Sequence, residues 1–87
     1  MAMKFITTRD EQGVEEVFVF PKRIHHDAMA EAIARVKNQT YGNWVRVHRQ
    51  PVAAGFVDES WKCHGMSETL GLSARSEDAE LLAKQRG

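Results

Sequence analysis

The sequence is short of cysteine and has no net charge. Cys63 is its only cysteine, so the chain has no internal disulfide and no CxxC motif of the kind that binds metals or carries redox chemistry. A lone thiol is compatible with a reducing cytosol. Twelve lysines and arginines balance twelve aspartates and glutamates, which gives a net charge of zero. That balance argues against generic binding to polyanions, which depends on a basic excess.

Long apolar runs are also missing. No stretch approaches the roughly 18 apolar residues of a membrane-spanning helix, and the beginning of the chain lacks the apolar segment of a signal peptide. We therefore expect a cytoplasmic protein without membrane contact. Its 43 % of apolar residues are typical of a globular chain. We expect one domain spanning residues 1–87, with frayed ends at Met1–Met3 and Gln85–Gly87.

A β-hairpin is predicted at the start of the chain. Residues 4–7 and 15–20 are rich in strand-forming side chains, and a polar turn separates them. In the second run, Val17 and Val19 point to one side and the two phenylalanines to the other. Because both sides are apolar, we expect this strand to lie in the middle of a sheet.

An amphipathic helix is predicted next. His25 is expected at its N-cap, where the flanking isoleucine and methionine would pack as a hydrophobic staple. Asp27 lies in the first turn, Glu31 and Arg35 have the i,i+4 spacing of an ion pair, and residues 38–42 are expected to close the helix. The apolar positions with helical period are Ile24, Ala28, Met29, Ala32, Ile33 and Val36.

Three further strands are predicted in the second half of the chain. They cover residues 44–48, 52–57 and 61–64, and they are divided by Pro51 and by a polar turn at residues 58–60. The last two strands are expected to pair as a second hairpin. Together with the elements before them, they are expected to form a five-stranded antiparallel sheet.

The end of the chain is predicted to be helical. Ser73 or Ser76 is expected to cap a helix that runs to about Lys84. Before it, residues 65–72 are expected to form a fixed turn whose two leucines pack against the leucine pair of this helix. Gly55 indicates a bulge or a close backbone approach in the strand that contains it. The order of elements is ββαβββα, which predicts a small α+β domain with the long helix packed on the sheet.

Four side chains are of the type that binds zinc, namely His25, His26, Cys63 and His64. Neither adjacent pair has the spacing of a structural zinc site. Consecutive residues of a strand also point to opposite faces, which separates the Cys63 and His64 side chains. We therefore predict no metal site.

Catalytic motifs are incomplete. The segment around Ser67 superficially resembles a nucleophile elbow, but that motif requires a glycine where Thr69 stands. No glycine-rich nucleotide-binding motif is present either. We predict no catalytic residues, no cofactor and no enzymatic activity.

One segment of the chain is basic. From Lys22 to Arg49 there are six lysines and arginines against two acidic residues. Trp44, Arg46 and His48 share one side of a predicted strand, an arrangement suited to stacking on bases or binding phosphates. The rest of the chain is acidic, and such charge segregation also suits an acidic protein partner.

The chain from Pro21 to Leu82 resembles small proteins of tailed phages and prophages that have no established activity. The resemblance implies an accessory phage gene product that acts in the bacterial cytoplasm, and it supplies no catalytic residues. The residues that carry it are His26 and Asp27, the segment from Ala54 to Val57, GMSETLGLS at residues 65–73 and RSEDAELL at residues 75–82.

We therefore predict a non-enzymatic phage accessory protein that binds a host or phage protein. Tryptophan and arginine are the residues most enriched in binding hot spots. The alternative is a weak nucleic-acid-binding protein that uses the basic segment from Lys22 to Arg49. The expected contact surface consists of Trp44, Arg46, His48, Arg49 and Trp61.

Self-association is a further prediction. The strand at residues 15–20 is apolar on both sides, whereas the last helix carries only a narrow apolar stripe. One face of the sheet is therefore expected to remain partly exposed, and large exposed apolar patches usually mark interaction sites. We expect two copies to bury this face about a two-fold axis as a homodimer.

Overall fold

The structure is a computed structural model that describes residues 3–37, 44–46 and 49–87. It confirms the α+β class and the antiparallel pairing. Three additional short strands, at residues 35–37, 66–67 and 72–73, interrupt the predicted order. The elements within the described residues are β1 (Met3–Asp10), β2 (Glu15–Phe20), α1 (His26–Ile33), β3 (Arg35–Lys37), β4 (Trp44–Arg46), β5 (Arg49–Val57), β6 (Cys63–His64), β7 (Met66–Ser67), β8 (Leu72–Ser73) and α2 (Ser76–Arg86).

Within the described ranges, four antiparallel strands form the main sheet in the order β2-β1-β5-β6. β3 pairs with β4 and β7 with β8 in separate two-stranded ladders, so the expected five-stranded sheet is wrong. Both predicted hairpins are present, with Phe5 opposite Val19 in the first and Val57 opposite Cys63 in the second. β2 lies at the edge of the sheet and not in its middle as predicted. Both faces of β2 are apolar because a helix packs on each face of the sheet. They do not indicate that β2 has a neighbouring strand at both of its edges.

The two helices cover opposite faces of the sheet. Phe5 and Ile6 are consecutive residues of β1, so their side chains point to opposite faces. Leu82 of α2 packs on one face against Phe5, Val17, Ala53 and Val57. Met29 and Ile33 of α1 pack on the other face against Ile6, Phe20 and Ala54.

The face expected to remain exposed is covered by α2. Leu82 is only 4 % exposed, and Leu81 packs against the same cluster. Among the described residues, the exposed large apolar side chains are Val14, Trp61 and Met66, which belong to three different segments. The premise of the homodimer is therefore wrong, and the oligomeric state stays a prediction.

α1 is shorter than the apolar period predicts. It begins after an N-cap at His25, as expected, but ends at Ile33. The chain then enters β3, where Val36 pairs with Val45 of β4. β-branched residues favour strands, so strand pairing competes here with the helical period. The expected end of the helix at residues 38–42 lies outside the described residues.

β5 runs through the proline that was expected to divide two strands. The register with β1 shifts between Thr7 and Thr8, opposite the part of β5 that contains Pro51. An irregularity of this kind tolerates a proline, which has no N–H for a regular ladder. Gly55 meets the prediction of a close backbone approach, because a Cβ there would overlap the carbonyl oxygen of His64.

The beginning of α2 differs from the prediction. Arg75 is the N-cap, rather than Ser73 or Ser76. The carboxylate of Asp78 accepts the backbone N–H of Arg75 at 2.7 Å. Asp78, at position N3, thus supplies the half of a capping box in which the N3 side chain accepts the N–H of the N-cap residue.

The end of α2 also differs. The helix continues to Arg86, beyond the predicted end at Lys84. Gln85, which was expected to be frayed, hydrogen-bonds the backbone of Val17. Neither helix in the part of the chain that the structure describes has the length and apolar character to cross a bilayer.

The segment between β6 and α2 packs on the face of α1. Leu70 and Leu72 contact the cluster around Ile6 and Phe20, whereas Leu81 belongs to the cluster under α2. The predicted packing of Leu70 and Leu72 against the leucine pair of α2 is therefore wrong, because the sheet lies between them.

Candidate functional site

The β5–β6 turn holds Trp61 in a left-handed backbone conformation with a φ of 62°. Among the described residues, it is the one non-glycine residue with a positive φ. The N–H of Trp61 donates to the carbonyl of Asp58 at 3.0 Å, and the N–H of Asp58 donates to the carbonyl of Lys62 at 3.1 Å. The Asp58 carboxylate accepts the N–H groups of Lys62 at 3.0 Å and Ser60 at 2.9 Å. The bond from Lys62 is the main reason why the pKa of Asp58 is lowered.

The β1–β2 turn has the same hydrogen-bond pattern. Asp10 takes the place of Asp58, and its carboxylate accepts the N–H groups of Gln12 and Val14, each at 2.9 Å. Gly13 takes the place of Trp61, with a φ of 83°. Its N–H donates to the carbonyl of Asp10 at 3.1 Å. This hairpin turn calls for a left-handed residue at that position, and glycine adopts the conformation without strain.

Tryptophan at the glycine position strains the turn. A residue with a Cβ in the left-handed region raises the energy of the backbone by roughly 1–2 kcal/mol. Trp61 is 40 % exposed. The strained backbone therefore carries a side chain that faces outward. The guanidinium carbon of Arg86, at the end of α2, lies 4.1 Å from the ring centroid. The turn therefore presents an indole with a cation stacked on it.

The predicted contact residues do not all come together. Arg49 begins β5 and Trp61 follows its other end, so the strand separates them by roughly 26 Å. Trp44 and Arg46 lie in β4, but their side chains lie outside the described part of the chain, as does the whole of His48. Among the five predicted site residues, Trp61 is the one that the structure shows exposed.

Two arginines of the basic segment, Arg35 and Arg49, are engaged with acidic residues. Arg49 donates to Glu16 at 3.1 Å, and Arg35 lies 2.8 Å from Glu31 as the i,i+4 spacing predicts. Arg49 also lies 5.7 Å from the centroid of the Phe18 ring. These two guanidinium groups already have counter-charges, which weakens the alternative of phosphate binding.

A buried ionic network joins α2 to the first hairpin. Asp78 is fully buried and accepts Thr7 Oγ1 at 2.9 Å and Arg75 Nη2 at 2.8 Å. Arg75 also donates to Glu15 at 2.8 Å. The bonds from Arg75 and then Arg9 lower the pKa of Glu15 to about 2, and the bonds from Glu15 and Asp78 raise the pKa of Arg75. Because these charged groups satisfy one another, we interpret the network as structural.

The sheet separates Cys63 from the three histidines among the four zinc-type side chains. Cys63 packs under α2, whereas the ring of His64 stacks on Phe56 with 6.2 Å between centroids. Burial, followed by the charges of Asp78 and Asp58, raises the pKa of Cys63 to about 11. No group of three His, Cys, Asp or Glu side chains in the described residues is arranged to hold a metal ion.

A cleft of about 470 Å³ opens beside the first turn of α1. Three of the four segments that carry the phage resemblance meet here, since His26, Phe56 and Ser67 line the cleft. The Nε2 atom of His26 lies 2.9 Å from the carbonyl oxygen of Gly55. Sequence reasoning missed this site because its parts are separated along the chain. The motifs at residues 54–57 and 65–73 are the signal for it in the sequence.

Comparison with protein-family models, with curated proteins and with solved structures finds no match to this chain. The resemblance to phage proteins therefore stays a prediction. The strained Trp61 turn and the cleft beside α1 are the features of the described residues that bear on its function.

Proposed function

We propose that this chain is a non-enzymatic binding protein that docks a partner protein at the β5–β6 turn, with Trp61 as the anchor. One observation carries the proposal: Trp61 occupies the position that Gly13 occupies in a turn with the same hydrogen bonds. Residues in strained backbone conformations cluster at functional sites. A tryptophan in a left-handed conformation therefore indicates that its side chain has a role other than stabilising the fold. An exposed indole on a rigid turn is suited to binding, because tryptophan is among the commonest anchors of protein interfaces.

The surroundings of Trp61 suggest what the partner offers. The indole needs an apolar pocket, and the guanidinium of Arg86 over its ring needs a carboxylate or a carbonyl oxygen. We therefore expect a partner with an apolar depression beside an acidic side chain. The phage resemblance supports a host or phage protein of the bacterial cytoplasm as that partner.

Affinity capture with matched variants tests the proposal. The unmodified chain, Trp61→Gly and Val14→Ser are immobilised and exposed to nuclease-treated lysate of the bacterial host, and the retained proteins are identified by mass spectrometry. Trp61→Gly removes the indole and relieves the turn, so it keeps the fold. Val14→Ser removes the exposed apolar side chain of the other turn and serves as the control. We expect at least one protein to be retained by the unmodified chain and the control, and lost with Trp61→Gly.

Two outcomes would contradict this assignment. If Trp61→Gly retains the same proteins as the unmodified chain, the Trp61 turn is not the contact surface. A double variant, Trp44→Ala with Arg46→Ala, then tests whether the contact lies at β4, as first predicted. If proteins are retained from untreated lysate but not from nuclease-treated lysate, the chain binds nucleic acid instead, and its affinity for nucleic acid should fall steeply with salt.

A further inference from the structure

We propose that the cleft beside α1 binds a small organic monocarboxylate, with the carboxylate on Lys4 and an apolar body against Phe56. This site is independent of the proposed function, since no residue of the Trp61 turn lines it. Its volume of about 470 Å³ is within the range of about 300–1,000 Å³ that small-molecule sites occupy.

The wall of the cleft is already formed. The His26 ring lies edge-on between two phenyl rings, with centroid distances of 5.5 Å to Phe20 and 5.8 Å to Phe56. Since a carbonyl oxygen only accepts hydrogen bonds, Nε2 of His26 carries the hydrogen and donates it to Gly55. The surface that a ligand contacts is therefore already ordered. Binding loses less conformational entropy for that reason, which favours affinity.

Two glycines allow this packing. A Cβ on Gly55 would overlap the backbone of His64, and a Cβ on Gly65 would lie 3.0 Å from the Phe56 ring. Gly65 also has a φ of 78°, where glycine is unstrained. The close approach of β5 to this loop thus sets the position of Phe56 at the cleft.

The charge at the cleft favours an anion. Nζ of half-buried Lys4 donates to the carbonyl oxygen of Ile24 at 2.8 Å. No carboxylate of the described residues forms an ion pair with it. An ammonium group has three donors, so two remain for a ligand. A partly desolvated charge without a counter-charge is stabilised by an anion that supplies one.

The remaining lining residues favour a monoanion with an apolar body. Glu68 also lines the cleft and repels added negative charge, which disfavours a phosphate dianion relative to a monoanion held by Lys4. Phe56 and the half-exposed Met66 supply apolar surface on the same cleft. A single carboxylate on a short or aromatic carbon skeleton matches this combination.

Titration with simple probes tests the site. Benzoate, benzamide and inorganic phosphate are added separately to the ¹⁵N-labelled chain, and amide chemical shifts are followed by NMR. Benzamide has the shape of benzoate without its charge. We expect saturable shifts around the cleft with benzoate and at least about tenfold weaker binding of benzamide and phosphate.

Variants locate the charge that binds. Lys4→Gln keeps a donor for the Ile24 carbonyl and removes the ammonium, and Lys62→Gln is the control on an exposed lysine outside the cleft. We expect Lys4→Gln to weaken benzoate binding at least about tenfold, and Lys62→Gln and Trp61→Gly to leave it unchanged. Equal binding of benzoate and benzamide, tighter binding of phosphate, unchanged binding in Lys4→Gln, or no saturable shift with benzoate would each overturn the proposal. The probe comparison uses the unmodified chain and decides the question even if Lys4→Gln unfolds.

Discussion

The side-chain amide of Gln85 hydrogen-bonds both backbone groups of Val17. Its oxygen accepts the N–H at 2.6 Å, and its nitrogen donates to the carbonyl at 2.8 Å. Val17 lies in the edge strand β2, so the amide takes the place of a residue on a neighbouring strand. Unpaired backbone groups on an edge strand invite pairing with another chain. The end of α2 thus closes the edge of the sheet at this point.

Replacing Gln85 by alanine should destabilise the fold. Two hydrogen bonds are lost, so the free energy of unfolding should fall by about 1–2 kcal/mol, as measured by urea denaturation. Lys84→Ala, one residue earlier on the exposed side of α2, is the control and should change it by less than about 0.5 kcal/mol. Equal midpoints for the two variants would show that the Gln85 bonds do not contribute to stability.

Asp78→Asn should be the most damaging conservative change in α2. The carboxylate is fully buried and accepts hydrogen bonds from Thr7 and Arg75. An asparagine would replace one carboxylate oxygen by an NH₂ group, which is itself a donor and would face these donors without an acceptor. We expect a loss of about 3 kcal/mol or more, as for other broken buried pairs, seen as a lower Tm. Glu80→Gln, on an exposed site of the same helix, should leave the Tm nearly unchanged. A similar small effect of both variants would contradict the structural role of the network.

Stability should fall in acid because of Glu15. Its pKa is lowered from 4.5 to about 2 by Arg75 and Arg9, so the unfolded chain binds the proton more tightly than the folded chain. The stabilisation is present above the unfolded pKa and is lost progressively as the pH falls from about 5 towards 2. Urea midpoints measured across this range should fall less steeply in Glu15→Gln than in the unmodified chain. Parallel pH profiles would contradict this assignment.

Cys63 should react slowly with alkylating agents while the chain is folded. Burial raises its pKa from 9.0 to about 11, so the reactive thiolate is roughly a hundred times scarcer at neutral pH. Iodoacetamide labelling followed by mass spectrometry should be at least that much slower in buffer than in denaturing urea. Comparable rates would show that the thiol is accessible and ionisable in the folded state.

The two matched turns should respond in opposite directions. Gly13→Ala places a Cβ in a left-handed position and should lower the free energy of unfolding by about 1 kcal/mol. Trp61→Gly relieves the same strain and should raise the free energy of unfolding by up to about 1 kcal/mol. The loss of the contact between the indole and Arg86 reduces this gain. Urea denaturation measures both effects. If Trp61→Gly is clearly destabilising, the indole supports the fold and the argument for a binding role is lost.

The sequence determined the elements whose signals are local. Capping and side-chain period depend on residues within one turn or one strand, which is why the His25 N-cap and the two hairpins could be predicted. The spacing of Glu31 and Arg35 likewise predicted their ion pair correctly. The α+β class follows from the mixture of these local periods.

Tertiary structure decided the features that depend on distant contacts. β2 is an edge strand because β5 pairs with the other side of β1. The alternation of apolar residues along one strand does not indicate the order of strands in the sheet. α2 covers the second face because Leu82 reaches a core that only the assembled sheet presents. His26, Phe56 and Ser67 form one cleft because the chain folds three separate segments together. The strain at Trp61 arises for the same reason. Pairing of β5 with β6 imposes a left-handed backbone conformation at Trp61, which a tryptophan does not favour.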